Sequence, residues 1–270
     1  MRGVISAGMV SALEALGYGQ AFDAVYGSSA GAVNAAYFLA GQARLGTSIY
    51  HQDINNRHFI DTRRALIGRP IVNLGFLLDG VARKTKRLDV ERLLQHATPL
   101  FVLATDVDSE SARVFTGFTD ADALFGALRS GATMPVVAGG PYAYATRRFL
   151  DASLSEPIPV PTAEADGHTH VVALLTRTGG MRPTASAFDR YFVAPRLRRL
   201  SASLAAKYLN RAVPYAELMR LIDAGRGPLG RASVLAVRVD NLRISKLERR
   251  SDVLELGATS GDQAIRAIFG

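Results

Sequence analysis

Gly27-Ser28-Ser29-Ala30-Gly31 lies between a β-like run, Ala24-Val25-Tyr26, and an apolar helix-like run from Ala32 to Ala40. Small residues on either side let the backbone turn sharply, which lifts the Ser29 hydroxyl clear of a sheet. The helix that follows aims its N-terminal N–H groups and positive dipole end at the place where an oxyanion would form. These are the requirements of a nucleophilic serine. The bare pattern also fits an ordinary glycine-rich turn.

Upstream, Val4, Ile5, Met9, Leu13 and Leu16 are spaced for one buried stripe, which predicts a helix from Gly3 to Leu16 with Gly17 as its stop. Phe22 to Tyr26 reads as a short strand. Downstream, Gly68, Pro70, Gly75 and Gly80 break Arg44 to Ala82 into short helices and loops, a stretch placed to cap the site. Arg83-Lys84-Thr85-Lys86-Arg87 reads as an exposed turn before a helix from Asp89 to Gln95. Leu100 to Thr105 is a buried strand paired with Ala112 to Phe115, and Asp120 caps a helix through Arg129. Tyr142 to Phe149 leads to a strand end at Leu150-Asp151, and His170 to Thr176 is another buried strand. Helices are expected over Ala185 to Asn210, Tyr215 to Ala224 and Asp262 to Phe269, with a strand from Ser233 to Val239. Strands alternating with helices predict an α/β fold: three layers, a mainly parallel central sheet, helices on both faces. No linker divides the chain, so residues 1–270 read as one domain, with core motifs in 1–176 and a helical, basic part in 177–270.

Composition narrows the function. The 270 residues, 48% hydrophobic and 21% charged, are those of a globular protein with a full core. No apolar run is long enough to span a bilayer. With no cysteine, disulfides, thiol catalysis and cysteine metal sites are excluded. The net charge of +8 is uneven: Met181 to Arg250 holds 15 Lys/Arg against 5 Asp/Glu. Such a block fits an anionic lipid surface, an acidic protein or simply a solvated helical exterior. No aromatic and basic interleaving of a nucleic-acid reader is present, so no nucleic acid is expected.

A serine hydroxyl needs a base. Of the five histidines (His51, His58, His96, His168 and His170) none sits where a Ser…Asp…His order would place it. His168 and His170 flank a strand start and fit an exposed turn better than a metal pair. Asp151 is the better partner, because a strand's C-terminal end is where open α/β sheets gather functional groups; a lone strand-end aspartate is equally a turn or cap.

Five stretches, in order, resemble the patatin-like phospholipase family. They are Met1-Arg2-Gly3-Val4, Gly27 to Gly31, Ala104-Thr105-Asp106-Val107, Arg129-Ser130-Gly131-Ala132-Thr133-Met134-Pro135, and Leu150-Asp151 through Pro157-Ile158-Pro159-Val160. The resemblance implies hydrolysis of lipid acyl esters by a Ser–Asp dyad without histidine, metal or other cofactor. Ser29 would be the nucleophile and Asp151 the base, with Gly27 and Gly31 shaping the elbow. Arg2, Gly3 and the Ala30 N–H would serve the oxyanion or substrate. An aspartate of ordinary pKa, about 3.9, is a weak base at neutral pH, so partial burial is expected to strengthen it.

Two positions depart from the family pattern. Ala152 stands where a glycine usually follows the aspartate, so that turn must manage with negative φ or accept strain. Of the family's N-terminal strand and Gly-Gly-Gly-x-Arg-Gly loop only Met1-Arg2-Gly3 is present, which reads as a truncated start. Losing one oxyanion donor costs about 10²–10³ in rate, so a catalytically weak lipid-binding protein is the alternative, and an acyltransferase differs only in its acceptor. Phe38, Phe59, Leu74, Phe76 and Leu77 are candidates for an acyl trough, or for core. The basic segment from Arg182 onward would hold the protein against anionic lipid, giving a cytoplasmic or peripheral-membrane location.

Overall fold

The stripe of Val4, Ile5, Met9 and Leu13 is buried on helix α1 (Gly3–Ala15), which ends before Gly17 at φ 88°. The structure is a computed structural model that describes residues 1–179 and 183–270. Strand β1 (Val25–Ser28) turns at Ser29 into α2 (Ala30–Leu39), followed by α3 (Ala43–Gln52), a 3-10 turn over Thr62–Ile67 and a π-helix over Phe76–Thr85. Asp89 caps α4 (Val90–Leu94) through the Arg92 N–H, and β2 (Leu100–Asp106) and β3 (Ala112–Phe115) form a hairpin. Asp120 caps α5 (Ala121–Ala132) through the Ala123 N–H. Strands β4 (Tyr142–Tyr144) and β5 (Arg147–Asp151) close over Ala145-Thr146, both at positive φ as a two-residue hairpin turn prefers. Then come α6 (Val160–Ala165), β6 (His170–Leu175), a π-turn over Asp189–Val193, α7 (Ala194–Arg198), α8 (Ala202–Asn210), α9 (Ala212–Asp223), β7 (Ser233–Arg238) and α10 (Ser251–Phe269).

The register of β2 positions the site. β1 runs parallel to it with Ser28 beside Leu103; β5 runs antiparallel with Asp151 beside Ala104. β3 pairs with Val102 to Thr105, overlapping both partners, so it must hold the opposite edge. β1 and β5 therefore share one edge of β2 and meet there end to end. The residue after β1 and the last residue of β5 become neighbours although 122 positions separate them.

Helices cover both faces, as an α/β chain requires. Leu100 and Val102 face the large core with residues of α1, α2 and α5, whereas Leu150 faces a second cluster with Leu197, Leu204 and Tyr208. The parallel pairs are β1–β2 and β6–β7; β3, β4 and β5 join antiparallel.

Three expectations change. Arg83 to Thr85 continue the π-helix rather than forming an exposed turn. Arg83 lies 4.2 Å over the Phe125 ring and pairs with Asp122 at 2.7 Å, and Lys86 reaches Asp53 at 2.9 Å. A charge run looks solvated until its distant partners are known. The expected helix from Ala185 to Asn210 is broken, because Ser201 accepts from the Ser203 and Leu204 N–H groups and starts α8 afresh. Helix α10 begins at Ser251, well before the expected Asp262. Its glycines look like breaks but serve close approach: a Cβ on Gly261 would lie 2.1 Å from the Ile5 carbonyl oxygen, and one on Gly8 would lie 2.0 Å from that of Ala258.

Candidate active site

Ser29 has φ 54° and ψ −126°, a conformation that a non-glycine residue holds only under constraint from its surroundings. Gly27 supplies part of that constraint. A Cβ there would sit 2.3 Å from the Ala32 Cα, so only glycine lets α2 fold back on β1. Gly31 is different: no atom lies within 4 Å of where its Cβ would be, so the fold does not demand a glycine there. Its bareness leaves the space beside Ser29 open.

Asp151 is fully buried and held on every side. Its N–H donates to the Thr133 carbonyl (2.9 Å), and its own carbonyl accepts from Thr105 Oγ1 (2.9 Å). Its Oδ1 accepts from the Ser153 N–H (2.9 Å) and its Oδ2 from Ser29 Oγ (2.6 Å). Ala152 opens a 3-10 turn over Ala152–Leu154 without positive φ, so alanine is tolerated where a glycine is usual. Ser28 Oγ donates to the Glu156 carbonyl (2.9 Å), which ties the elbow to the segment after the aspartate. Among the described residues none of the five histidines hydrogen-bonds to Ser29 or Asp151. His168 packs edge-on against Tyr26, and no group of three His, Asp or Glu side chains gathers to hold a metal ion.

Two helix N-termini converge at Ser29. Ala30 opens α2, and Gly3 opens α1 so close by that a Cβ on Gly3 would lie 2.6 Å from the Ala30 Cβ. The first N–H groups of each helix have no intrahelical acceptor. Buried Asn34 fixes this junction: its Nδ2 donates to the Gly3 carbonyl (2.9 Å) and to Ser6 Oγ (3.0 Å), and its Oδ1 accepts from Tyr50 Oη (3.0 Å). Arg2 precedes Gly3, and burial, then the nearby Arg177 cation, push its guanidinium down to about 10.

A cavity of about 550 Å³ reaches toward the dyad through Met134, although neither Ser29 nor Asp151 lines it. Ile71, Met134, Val137, Phe188 and Leu247 form its apolar wall, and Arg177, Asp189, Tyr208, Arg211 and Lys246 its polar one. Met134 follows Thr133, whose carbonyl holds Asp151, and Val136 beside it takes φ 65°, a strained value for a β-branched residue. Lys246 Nζ lies 4.0 Å from Met134 Sδ. Desolvation, then the cation of Arg2, push Lys246 down to about 8; the Asp151 carboxylate opposes this, and Arg177 and Arg211 add to it. A smaller cavity of about 240 Å³, bordered by Arg57, Asp61, Arg63 and Arg249, shares Leu247 with the first.

The structure brings together Ser29, Asp151, Ala30, Gly3 and Gly27. The side chains expected to line an acyl trough do not line the main cavity. Phe38 and Phe59 are buried in the central core, Phe76 and Leu77 pack against it, and from Arg44 to Ala82 only Ile71 lines the main cavity. Large apolar side chains after the nucleophile helix were needed for the core. Reasoning from sequence missed Thr105 and Thr133 as holders of Asp151, although both lie in quoted motifs, and missed Arg177, Tyr208 and Lys246, which no local pattern marks. Arg182, where the basic segment was taken to begin, lies outside the described residues.

Residues 1–164 match the family described as patatin-like phospholipase. The chain is 24% identical over 199 residues to the uncharacterized protein YjjU of Escherichia coli (strain K12), an alignment covering 70% of this chain and 53% of that protein. The chain thus spans about half the length of the curated relative it matches.

Proposed function

The chain belongs to the patatin-like phospholipase family, and from that premise we propose that it is a serine hydrolase of lipid acyl esters working through a Ser29–Asp151 dyad. One observation carries this reading: Ser29 Oγ donates to Asp151 Oδ2 at 2.6 Å, from an elbow that holds the hydroxyl in a constrained conformation. As Ser29 attacks the acyl carbonyl, Asp151 Oδ2 takes the hydroxyl proton. The oxyanion that forms faces the N–H groups at the starts of α2 and α1, where Ala30 and Gly3 meet. Collapse of this intermediate expels the alcohol, which leaves with the proton held by Asp151, and Ser29 carries the acyl group. A water deprotonated by Asp151 then attacks the acyl-enzyme and restores both side chains.

Other features support contact with lipid. Tyr191 and Phe192 are 75% and 51% exposed, and Phe192 stacks on Phe188 of the cavity wall. Leu66 and Ile67, equally bare, precede Ile71 of that wall by a few residues. With Arg63, Arg64, Arg190 and Arg196 nearby in the chain, these side chains fit a peripheral contact with anionic bilayers. Packing of α10 along α1 supports reading residues 1–270 as one domain.

Labelling with a fluorophosphonate and turnover of a short p-nitrophenyl ester test the dyad. The full chain is expected to do both, and Ser29→Ala to lose the label and about 10³-fold or more in kcat. Equal turnover by the two proteins would remove Ser29 from the reaction. A chain that neither labels nor turns over would favour a lipid-binding role.

A further inference from the structure

Arg177 and Lys246 both line the main cavity. Among the described residues neither forms an ion pair within 4.0 Å. The Arg2 cation is near enough to help push Lys246 down, and Arg177 near enough to help push Arg2 down. Arg211, the third cation of the wall, is already matched by Asp189 (2.8 Å), which also accepts from Tyr208 Oη (2.5 Å). Arg177 is steadied by the Tyr215 ring, 5.2 Å from its guanidinium carbon. Like charges gathered at a partly desolvated wall repel one another until an anion joins them.

We propose that this wall is a head-group pocket in which Arg177 and Lys246 bind the phosphate of the acyl ester, so that anionic substrates are selected over zwitterionic and uncharged ones. The proposal rests on the hydrolase reading and adds to it a residue set that chooses among lipids. A phosphate offers several acceptor oxygens to a planar guanidinium and a mobile ammonium at once, which is the recognition these side chains do best. The apolar wall of Ile71, Met134, Val137, Phe188 and Leu247 takes the adjoining hydrocarbon. A trimethylammonium head carried beyond the phosphate would meet the same cations, so the pocket disfavours zwitterions by repulsion as well as favouring anions by attraction.

The test compares lysophosphatidate, lysophosphatidylcholine and monoacylglycerol of one acyl chain in the same uncharged detergent micelles. The expected kcat/KM is highest for lysophosphatidate by about tenfold, and Arg177→Gln and Lys246→Gln each lower the lysophosphatidate-to-monoacylglycerol ratio by about tenfold. A ratio taken within one protein cancels partial unfolding. Arg220→Gln, in a surface pair with Glu217, leaves it unchanged. Equal rates on all three lipids, or a ratio that survives both pocket substitutions, overturns the proposal. If no lipid is hydrolysed, calorimetric titration of glycerol 3-phosphate and of inorganic phosphate into the full chain decides. Glycerol 3-phosphate heat that disappears in Arg177→Gln upholds the pocket while the hydrolase reading fails. Absence of such heat at millimolar concentration, or tighter binding of inorganic phosphate than of glycerol 3-phosphate, overturns it.

Discussion

The two walls of the candidate site are built by opposite means. On the dyad side, Ser29 and Asp151 are held by main-chain groups and short side chains: a strained elbow, the Thr133 carbonyl, the Thr105 hydroxyl and the Ser153 N–H. On the far side, Arg177, Tyr208 with Arg211, and Lys246 come from three separate segments and reach the cavity with long side chains. Chemistry needs atoms placed to fractions of an ångström, which backbone bonds supply at little entropic cost. Recognition of a charged group tolerates movement, and long cationic side chains provide field and reach. The contrast therefore separates what must be rigid from what need only be charged.

Substitutions can break or sharpen that contrast. The largest effect is expected from Asp151→Asn, which keeps the acceptor for Ser153 but removes the base. kcat on a p-nitrophenyl ester should fall about 10³-fold, and a milder loss would mean that another group takes the proton. Next comes Gly8→Ala, whose methyl would enter the α1–α10 contact. A loss of about 2–3 kcal/mol in urea unfolding is expected; an unchanged midpoint would show that the two helices can slide apart freely. Asn34→Ala would leave the Tyr50 hydroxyl without its acceptor and remove one donor from the Gly3 carbonyl, costing about 1–3 kcal/mol. It should also lower kcat more than it raises KM, because the α1 N-terminus loosens beside Ser29.

Asp189→Asn probes the recognition wall through pH. Burial alone would raise the Asp189 carboxyl, but Tyr208, the Ser186 N–H and Arg211 outweigh it and hold the group near 2. A depressed carboxyl stabilises the fold above its unfolded value of about 3.9, and that contribution is lost as pH falls through 2. Asp189→Asn should therefore cost roughly 1–2 kcal/mol at neutral pH, with the gap from wild type closing between about pH 4 and pH 2. A constant gap across that range would mean the charge of Asp189 is not what stabilises this wall.

The contrast also explains what could be read in advance. Gly27 to Gly31 and Leu150-Asp151 were legible because a tight turn and a strand end demand particular residues close together in the chain. The α1 stripe, the β2 strand and the cap at Asp120 were legible for the same reason: each depends on its neighbours within a few positions. Arg83 to Arg87 misled, because a charge run shows nothing of the Phe125 ring and the carboxylates that receive it. Phe38 and Phe59 were apolar enough to line a trough, yet the core claimed them.

Local spacing along the chain was enough to single out the turn at Ser29, the strand end at Asp151 and the alternation of helices and strands, because backbone conformation is governed by nearby residues. Only the folded molecule decided that β1 and β5 share one edge of β2, bringing Ser29 within 2.6 Å of Asp151. Only it decided that Arg177 and Lys246 share one cavity wall. Such meetings follow from strand register and the packing of distant helices, which minimise the energy of the whole chain and leave no mark in any short stretch of it.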